Sequence, residues 1–280
     1  MYRMGWSSRM SDNPQRRPVQ NDRPMVHQVA QRGFGREAAA YERSRPTYPP
    51  DALSWLVTNL HMGKGSIVAD LAAGTGKLTR LLLPTGAAVL AIEPVQGMRD
   101  ALRMAVPDVP VIAASAEAIP LCSGTLDAVT VAQAFHWVDA DKAFAELGRV
   151  LRPGGRLGVI SNSRDRSVDW VDRAWAIMDR VESAAPWRDH DWRVSAFRER
   201  PAFTQFTTAT FHHEHSCAPE DVVDRFRGVS HVAALPHDQQ AGVLAEIRGL
   251  LDTHSGTRGR SELEIPCRVD CSWCERRADR

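Results

Sequence analysis

Between Ile67 and Ser161, short apolar runs and helix-patterned segments take strict turns, and few folds accept that rhythm. The strand candidates are residues 67–71, 87–92, 109–114, 126–132 and 156–161, and helical patterns fill 77–83, 97–106 and 139–151 between them. In the last helix Ala140, Phe144, Leu147 and Leu151 share a face, and Arg152-Pro153-Gly154-Gly155 stops it. Strand, helix, strand in rotation implies a mostly parallel sheet covered by helices on both faces, because each crossover helix must lie against the sheet. The fold class is therefore α/β.

The flanks follow other rules. Residues 1–32 are rich in Arg, Gln, Asn, Asp and Pro without sustained periodicity and read as a disordered leader. A helical pattern then runs to Leu60, broken at Arg45-Pro46-Thr47-Tyr48-Pro49-Pro50, with Leu53, Leu56, Val57 and Leu60 on one stripe and Asp51 in the first turn. After Ser161 the rhythm changes. Val168, Val171, Trp175, Met178 and Val181 mark a helix, 201–216 alternates like a strand, Leu244, Ile247 and Leu251 mark another helix, and 263–273 reads as a final strand. This gives one domain over 33–280, in which 161–235 carries inserted helices that form a lid over a pocket.

Hydrophobic residues make up 43% of the chain, enough for a substantial core. The 35 basic and 34 acidic side chains leave a formal charge of +1, so nothing in the balance suggests a grip on nucleic-acid phosphates. No run approaches the roughly 20 apolar residues of a membrane helix. The segment 1–31 has no apolar core of the secretory kind, and five unevenly spread cysteines form no disulfide framework, so a cytoplasmic protein is expected. His212, His213 and His215 with Cys217, and Cys267, Cys271 and Cys274, look metal-like. Cys271-Ser272-Trp273-Cys274 has the spacing of a zinc-ligand pair, but there is no clear second pair, and no metal is expected.

Val68-Ala69-Asp70-Leu71-Ala72-Ala73-Gly74-Thr75-Gly76-Lys77 leaves an apolar strand and opens a helix. Glycines there let the backbone bend tightly and approach a ligand. At the end of the second strand stands Glu93, placed to accept hydrogen bonds from the hydroxyls of a ribose. Turn and acid together predict a nucleoside-bearing ligand at the carboxyl ends of the strands. A dinucleotide fingerprint lacks its third glycine here, and a phosphate-binding P-loop fails because Leu71 and Leu78 occupy two of its required positions.

With these residues the chain resembles the class I S-adenosylmethionine (SAM)-dependent methyltransferases. It is closest to the small-molecule "type 11" enzymes, which include trans-aconitate methyltransferase-like proteins. Their Asp-x-Gly-x-Gly-x-Gly motif is matched by Asp70, Gly74 and Gly76, with Ala72 in place of the first glycine. Glu93-Pro94 resembles the family's ribose-binding acid. Ser115-Ala116-Glu117-Ala118-Ile119-Pro120 resembles the loop beside the adenine, with Ser115 where many members carry Asp. The resemblance implies a Rossmann-like seven-stranded sheet of order 3-2-1-4-5-7-6, its seventh strand antiparallel. It also implies SAM as cofactor, held by Asp70, Ala72, Gly74, Thr75 and Gly76, by Glu93, Pro94 and Met98, and by Ser115, Ala116, Glu117 and Gln133.

The acceptor side is expected just past the fourth strand, in Gln133-Ala134-Phe135-His136-Trp137. His136 is the candidate general base, because its free pKa lies near neutrality; substrate contact without proton transfer and a structural role stay open beside that reading. Trp137 could wall the acceptor pocket. By resemblance, the element containing Tyr41, Arg45 and Tyr48 folds over the cofactor, and Arg45 suits a carboxylate. The expected activity is methyl transfer to a heteroatom, oxygen first, of a small molecule, with alignment dominating catalysis. Methylation of RNA or protein, and a non-catalytic SAM-binding regulatory role, are the alternatives.

Overall fold

A computed structural model describes residues 46–135, 138–183, 199–233 and 235–278; the leader expected over 1–32 lies outside them. Seven strands form one sheet in the order β3-β2-β1-β4-β5-β7-β6. They are β1 (Ile67–Leu71), β2 (Ala88–Ile92), β3 (Val111–Ile112), β4 (Leu126–Ala132), β5 (Leu151–Arg164), β6 (Thr207–Cys217) and β7 (Leu263–Glu275). The first five are parallel, and β7 runs antiparallel to both β5 and β6, as the sequence leads one to expect.

The described helices are α1 (Pro50–Asn59), α2 (Lys77–Leu82), α3 (Gln96–Ala105), α4 (Ala140–Val150), α5 (Asp169–Ser183), α6 (Pro219–Arg227), α7 (Ser230–Ala233) and α8 (His237–Thr253). Local chemistry sets several ends. Pro50 opens α1 where a missing N–H costs nothing. The Asp139 carboxylate accepts the N–H groups of Asp141 and Lys142 and so caps α4.

Four elements depart from the sequence reading, the first being the strand expected over 201–216, which begins only at Thr207. Leu151 does not end α4: it is already extended and pairs with Leu126, while Arg156 pairs with Ala128, so Arg152 to Gly155 bulge out of the ladder. The strand expected over 109–114 shrinks to two residues. Pro110 cannot donate at this sheet edge, and the chain turns away into a bridge between Ser115 and Ala118. The strand expected to end at Ser161 continues to Arg164, because β7 pairs with it along that whole length.

One face of the sheet (Leu71, Ile92, Val129 and Val159) packs against Phe144 and Leu147 of α4. The other (Val68, Ala128 and Ile160) packs against α1 and α2 through Leu56, Leu60, Leu78 and Leu82. A separate core lies beyond the parallel strands. There β7 runs on from Cys267 to Leu263, paired with β6, and its Leu263 and Ile265 carry α5, α6 and α8. The antiparallel strands are thus the footing of the lid. No described helix is long and apolar enough to cross a membrane.

Helix α1 comes so near β5 that a Cβ on Gly158 would lie 2.5 Å from Leu60 Cδ1 and 2.8 Å from Leu56 Cδ1. Both leucines are buried, so an added methyl must displace their side chains or the helix that carries them. Gly158→Ala is expected to lower stability by about 1–3 kcal/mol in urea unfolding; an unchanged midpoint would contradict this packing.

Candidate active site

The turn after β1 reverses the chain with left-handed residues: Ala72 (φ 55°), Gly74 (φ 58°) and Gly76 (φ 83°). At Gly76 a side chain would crowd Leu102 of α3, its Cβ lying 3.1 Å from Leu102 Cγ. At Gly74 a Cβ would meet nothing within 4 Å, so the bare backbone there faces open space that a ligand can enter.

Glu93 ties this turn to the end of β2. One carboxylate oxygen accepts the Gly74 N–H at 2.9 Å and the other accepts the Val95 N–H at 2.8 Å, with the side chain 4% exposed. The Arg99 guanidinium, from α3, donates to the carbonyls of Glu93 and Pro94 at 2.9 and 2.7 Å. A carboxylate has about four lone-pair sites. Glu93 can therefore brace the turn and still accept bonds from a ribose.

Asp70 stands directly beneath, fully buried on the face of the sheet that meets α2. Its carboxylate accepts the hydroxyls of Thr79 at 2.6 Å and Thr130 at 3.0 Å. Burial pushes its pKa up to about 6; the two threonines oppose the rise and the charge of Glu93 adds to it. Asp70 is not among the cavity-lining residues and acts by holding β1, β4 and α2 together.

A cavity of about 290 Å³ opens at the carboxyl ends of the parallel strands, where open α/β sheets bind ligands. Of the residues expected to hold the cofactor, Ala72, Gly74, Thr75, Glu93, Pro94, Met98, Ala116 and Gln133 line it. Gln133 sits at φ 57° and donates its N–H to the Ile160 carbonyl at 3.1 Å, turning the chain at the top of β4. Tyr48, expected beside the substrate, also lines the cavity.

Gly76, Ser115 and Glu117 do not line it, and each has a local reason. Gly76 faces α3. Ser115 closes the short bridge with Ala118, and the Glu117 carboxylate accepts the N–H of Asp139 at 2.9 Å. The loop they belong to is clamped by α4: Glu146 accepts the Ile119 N–H, and Arg149 donates to the carbonyls of Ile119 and Leu121. Ala116 is what that clamp presents to the cavity. His136, Trp137, Tyr41 and Arg45 lie outside the described residues.

Several lining residues were not anticipated: Lys77, Asn162, Ser163 and, from the lid, Arg225 and Val229. Trp175, expected in the lid or a pocket wall, lines it as well; Trp170 belongs to the lid core and Trp192 lies outside the described residues. A signal for Arg225 existed. Val222, Arg225, Phe226 and Val229 recur at helical spacing, so the arginine takes an inward position on an apolar stripe.

The strand period splits the metal-like clusters only in part: Cys217 shares the face of His213 and His215, and Cys267 is the cross-strand partner of His213. On β6, His213 and His215 share the half-buried face and His212 takes the exposed one. Burial holds both inward imidazoles below their ordinary pKa, and Arg225 adds to that. Cys271 and Cys274 fall into cores on opposite faces of the sheet, and burial pushes each thiol up to about 12.

A seven-stranded sheet of this order, with a glycine turn and an acid framing a cavity at the strand ends, defines a Rossmann-like nucleoside-binding enzyme. A methyltransferase-domain family model matches residues 69–159, which span that turn, Glu93 and the Ala116 loop. An uncharacterized methyltransferase of Mycobacterium tuberculosis is 37% identical over 242 residues, covering 85% of this chain and 93% of the relative. An uncharacterized methyltransferase-like protein of Schizosaccharomyces pombe is 29% identical, covering 86% and 94%. A solved structure from Anaeromyxobacter dehalogenans, described as a type II methyltransferase, aligns with a TM-score of 0.56 at 27% identity, covering 82% of this chain and 96% of that one. The chain belongs to the class I SAM-dependent methyltransferases.

Because the folded state holds the Asp70 proton more tightly than the unfolded chain does, this group stabilises the fold most below pH ~4. That contribution is lost as pH rises toward about 6. Asp70→Asn removes the titration and keeps a similar shape. Relative to wild type, the variant should gain up to about 3 kcal/mol between pH ~4 and ~6.5 in urea unfolding. Parallel pH profiles would show that Asp70 does not titrate this way.

Proposed function

We propose that this enzyme methylates a heteroatom, oxygen first, of a small molecule that enters beneath the lid. The observation that carries the reading is the reach of one cavity, from the glycine turn and Glu93 to Asn162, Trp175 and Arg225. Cofactor wall and lid wall therefore face the same cavity. An acceptor there is surrounded on several sides, which suits a small molecule better than a polymer. The near-zero net charge points the same way, since a nucleic-acid substrate calls for a basic surface.

Three features fit SAM: the open backbone at Gly74, the buried acid at Glu93 and the apolar contacts of Met98 and Ala116. When bound, SAM supplies a sulfonium methyl open to in-line displacement. The chain's own work is alignment. Glu93 would fix the ribose, Thr75 and the Gly74 turn would fix the tail, and Gln133 would shape the floor between cofactor and acceptor. Holding the partners in line can lower a barrier by several kcal/mol. Trp175 and Val229 would keep water out. His136, which follows Ala134-Phe135 in sequence, is the candidate base when the acceptor is a hydroxyl.

Calorimetry with S-adenosylhomocysteine, the demethylated product, tests the cofactor half. Micromolar binding is expected for wild type. Glu93→Gln should weaken it roughly ten- to hundredfold, because one acceptor at the ribose is lost. Absence of binding to the folded wild type would overturn the reading. For the base, His136→Ala should reduce kcat toward a hydroxyl acceptor by about 10²-fold or more while leaving product affinity unchanged. An unaltered kcat would remove His136 from the chemistry.

A further inference from the structure

We propose that Asn162 selects the acceptor: its side-chain oxygen receives the hydrogen of the hydroxyl or amino group that is to be methylated. The inference rests on the reading that the cavity holds the acceptor beside the cofactor. The strand that carries Asn162 explains its place. β4 ends at Ala132, opposite Ile160, whereas β5 runs on beyond that point paired with β7, Asn162 standing opposite Val269. On the side that β4 has left, the Asn162 carbonyl accepts from the Gln133 side-chain Nε2 at 3.4 Å instead. Gln133, Asn162 and Ser163 all line the cavity at this strand end.

Each of these side chains has a polar hydrogen turned toward the protein. Asn162 Nδ2 donates to the Pro46 carbonyl at 3.2 Å, and a carbonyl only accepts, so the amide nitrogen is the end that faces Pro46. Oδ1 is the end left over; it is buried and has no hydrogen-bond partner among the described residues. The Asn162 carbonyl orients the Gln133 amide in the same way. The Ser163 hydroxyl donates to Asp270 Oδ2 at 2.6 Å. Burial opposes the ionisation of Asp270, but bonds from Arg268, Ser163 and Thr210 outweigh it and hold its pKa below the usual carboxylate range. As an anion Asp270 offers no proton, so Ser163 must donate, and its lone pairs are what remains for a ligand. The end of β5 is thus a set of hydrogen-bond acceptors, supplied by residues that differ in type and agree in direction.

A buried oxygen without a partner is costly, and nearly all such atoms in folded proteins are satisfied. A hydroxyl or amino hydrogen of the acceptor satisfies Oδ1 and fixes the heteroatom that bears it. An analogue of the same shape without that hydrogen leaves the oxygen unmatched, which is the stronger source of discrimination. A hydroxyl loses its hydrogen on methylation, so the same contact holds the acceptor more tightly than its methylated product. Asn162 thereby favours both entry of the right group and release of the finished one.

The test uses the full-length protein saturated with S-adenosylhomocysteine, so that the cofactor half is fixed before acceptors are added. Phenol, catechol and aniline are compared with anisole, veratrole and N,N-dimethylaniline, their methylated counterparts, at millimolar concentration by thermal unfolding and calorimetry. At least one donor should raise the midpoint of wild type and bind about tenfold or more tightly than its counterpart, with the oxygen and nitrogen arms separating hydroxyl from amine acceptors. Asn162→Leu, or Asn162→Ala should the leucine prevent folding, removes the oxygen and should bring donor and counterpart within about twofold of each other. Asn162→Asp keeps an acceptor oxygen and should retain the preference for donors, and Ser163→Ala should lower it by a smaller factor than Asn162→Leu does. A merely structural role for Asn162 would not move this ratio. The proposal falls if no donor binds the product-loaded wild type, if the methylated counterparts bind equally well, or if the variants without the oxygen discriminate as wild type does. Failure of the product itself to bind would overturn the underlying reading instead.

Discussion

Everything at the top of the sheet depends on the Glu93 carboxylate holding two backbone N–H groups, one from each of two neighbouring strand ends. Gly74 lies past β1 and Val95 past β2, and neither N–H belongs to a sheet ladder or a helix. A buried carboxylate that accepts such donors is worth more than a neutral bond, and its loss would leave both donors and the turn without a fixed position. Arg99 fixes the same acid from behind through the Glu93 carbonyl. The turn can therefore keep three alternate residues in left-handed backbone, including an alanine, where such a conformation costs about 1–2 kcal/mol.

The second constraint is the length of the antiparallel strands. A parallel strand must end where its crossover begins, so β1, β2 and β4 stop together and leave a rim of strand ends. Strands β6 and β7 are free of that rule, and they continue past the rim to carry a core of their own, with α5, α6 and α8 standing on Leu263 and Ile265. A lid attached in this way hangs over the rim from one edge. The cavity beneath it draws its floor from the sheet and its far wall from Trp175, Arg225 and Val229.

How much of this was legible in sequence follows from how local each requirement is. The strand rhythm, the glycine turn and Glu93 are backbone demands met by near neighbours, so pattern alone located them. Asp70 was assigned to the cofactor because its motif sits there. Its true partners are Thr79 and Thr130, the second contributed by another strand, and nothing local marks that pairing. That Ala116 is the residue of its loop that lines the cavity has a related cause: Glu146 and Arg149 on α4 decide which residue of the loop faces inward. Arg225 went unread because a charged residue on a surface helix is ordinarily solvated, and only the docking of α6 turns it inward.

The distribution of charge gives these pieces one logic. Asp70 and Glu93 put two carboxylates under the turn, and the charge of Glu93 is part of what lifts Asp70 to about 6. A cationic ligand held above them would offset that repulsion. SAM carries such a cation in its sulfonium and another in its amino group, so the parallel half of the cavity is built with the sign that its cofactor needs. The lid contributes the opposite sign through Arg225, on an element that the sheet holds at one edge.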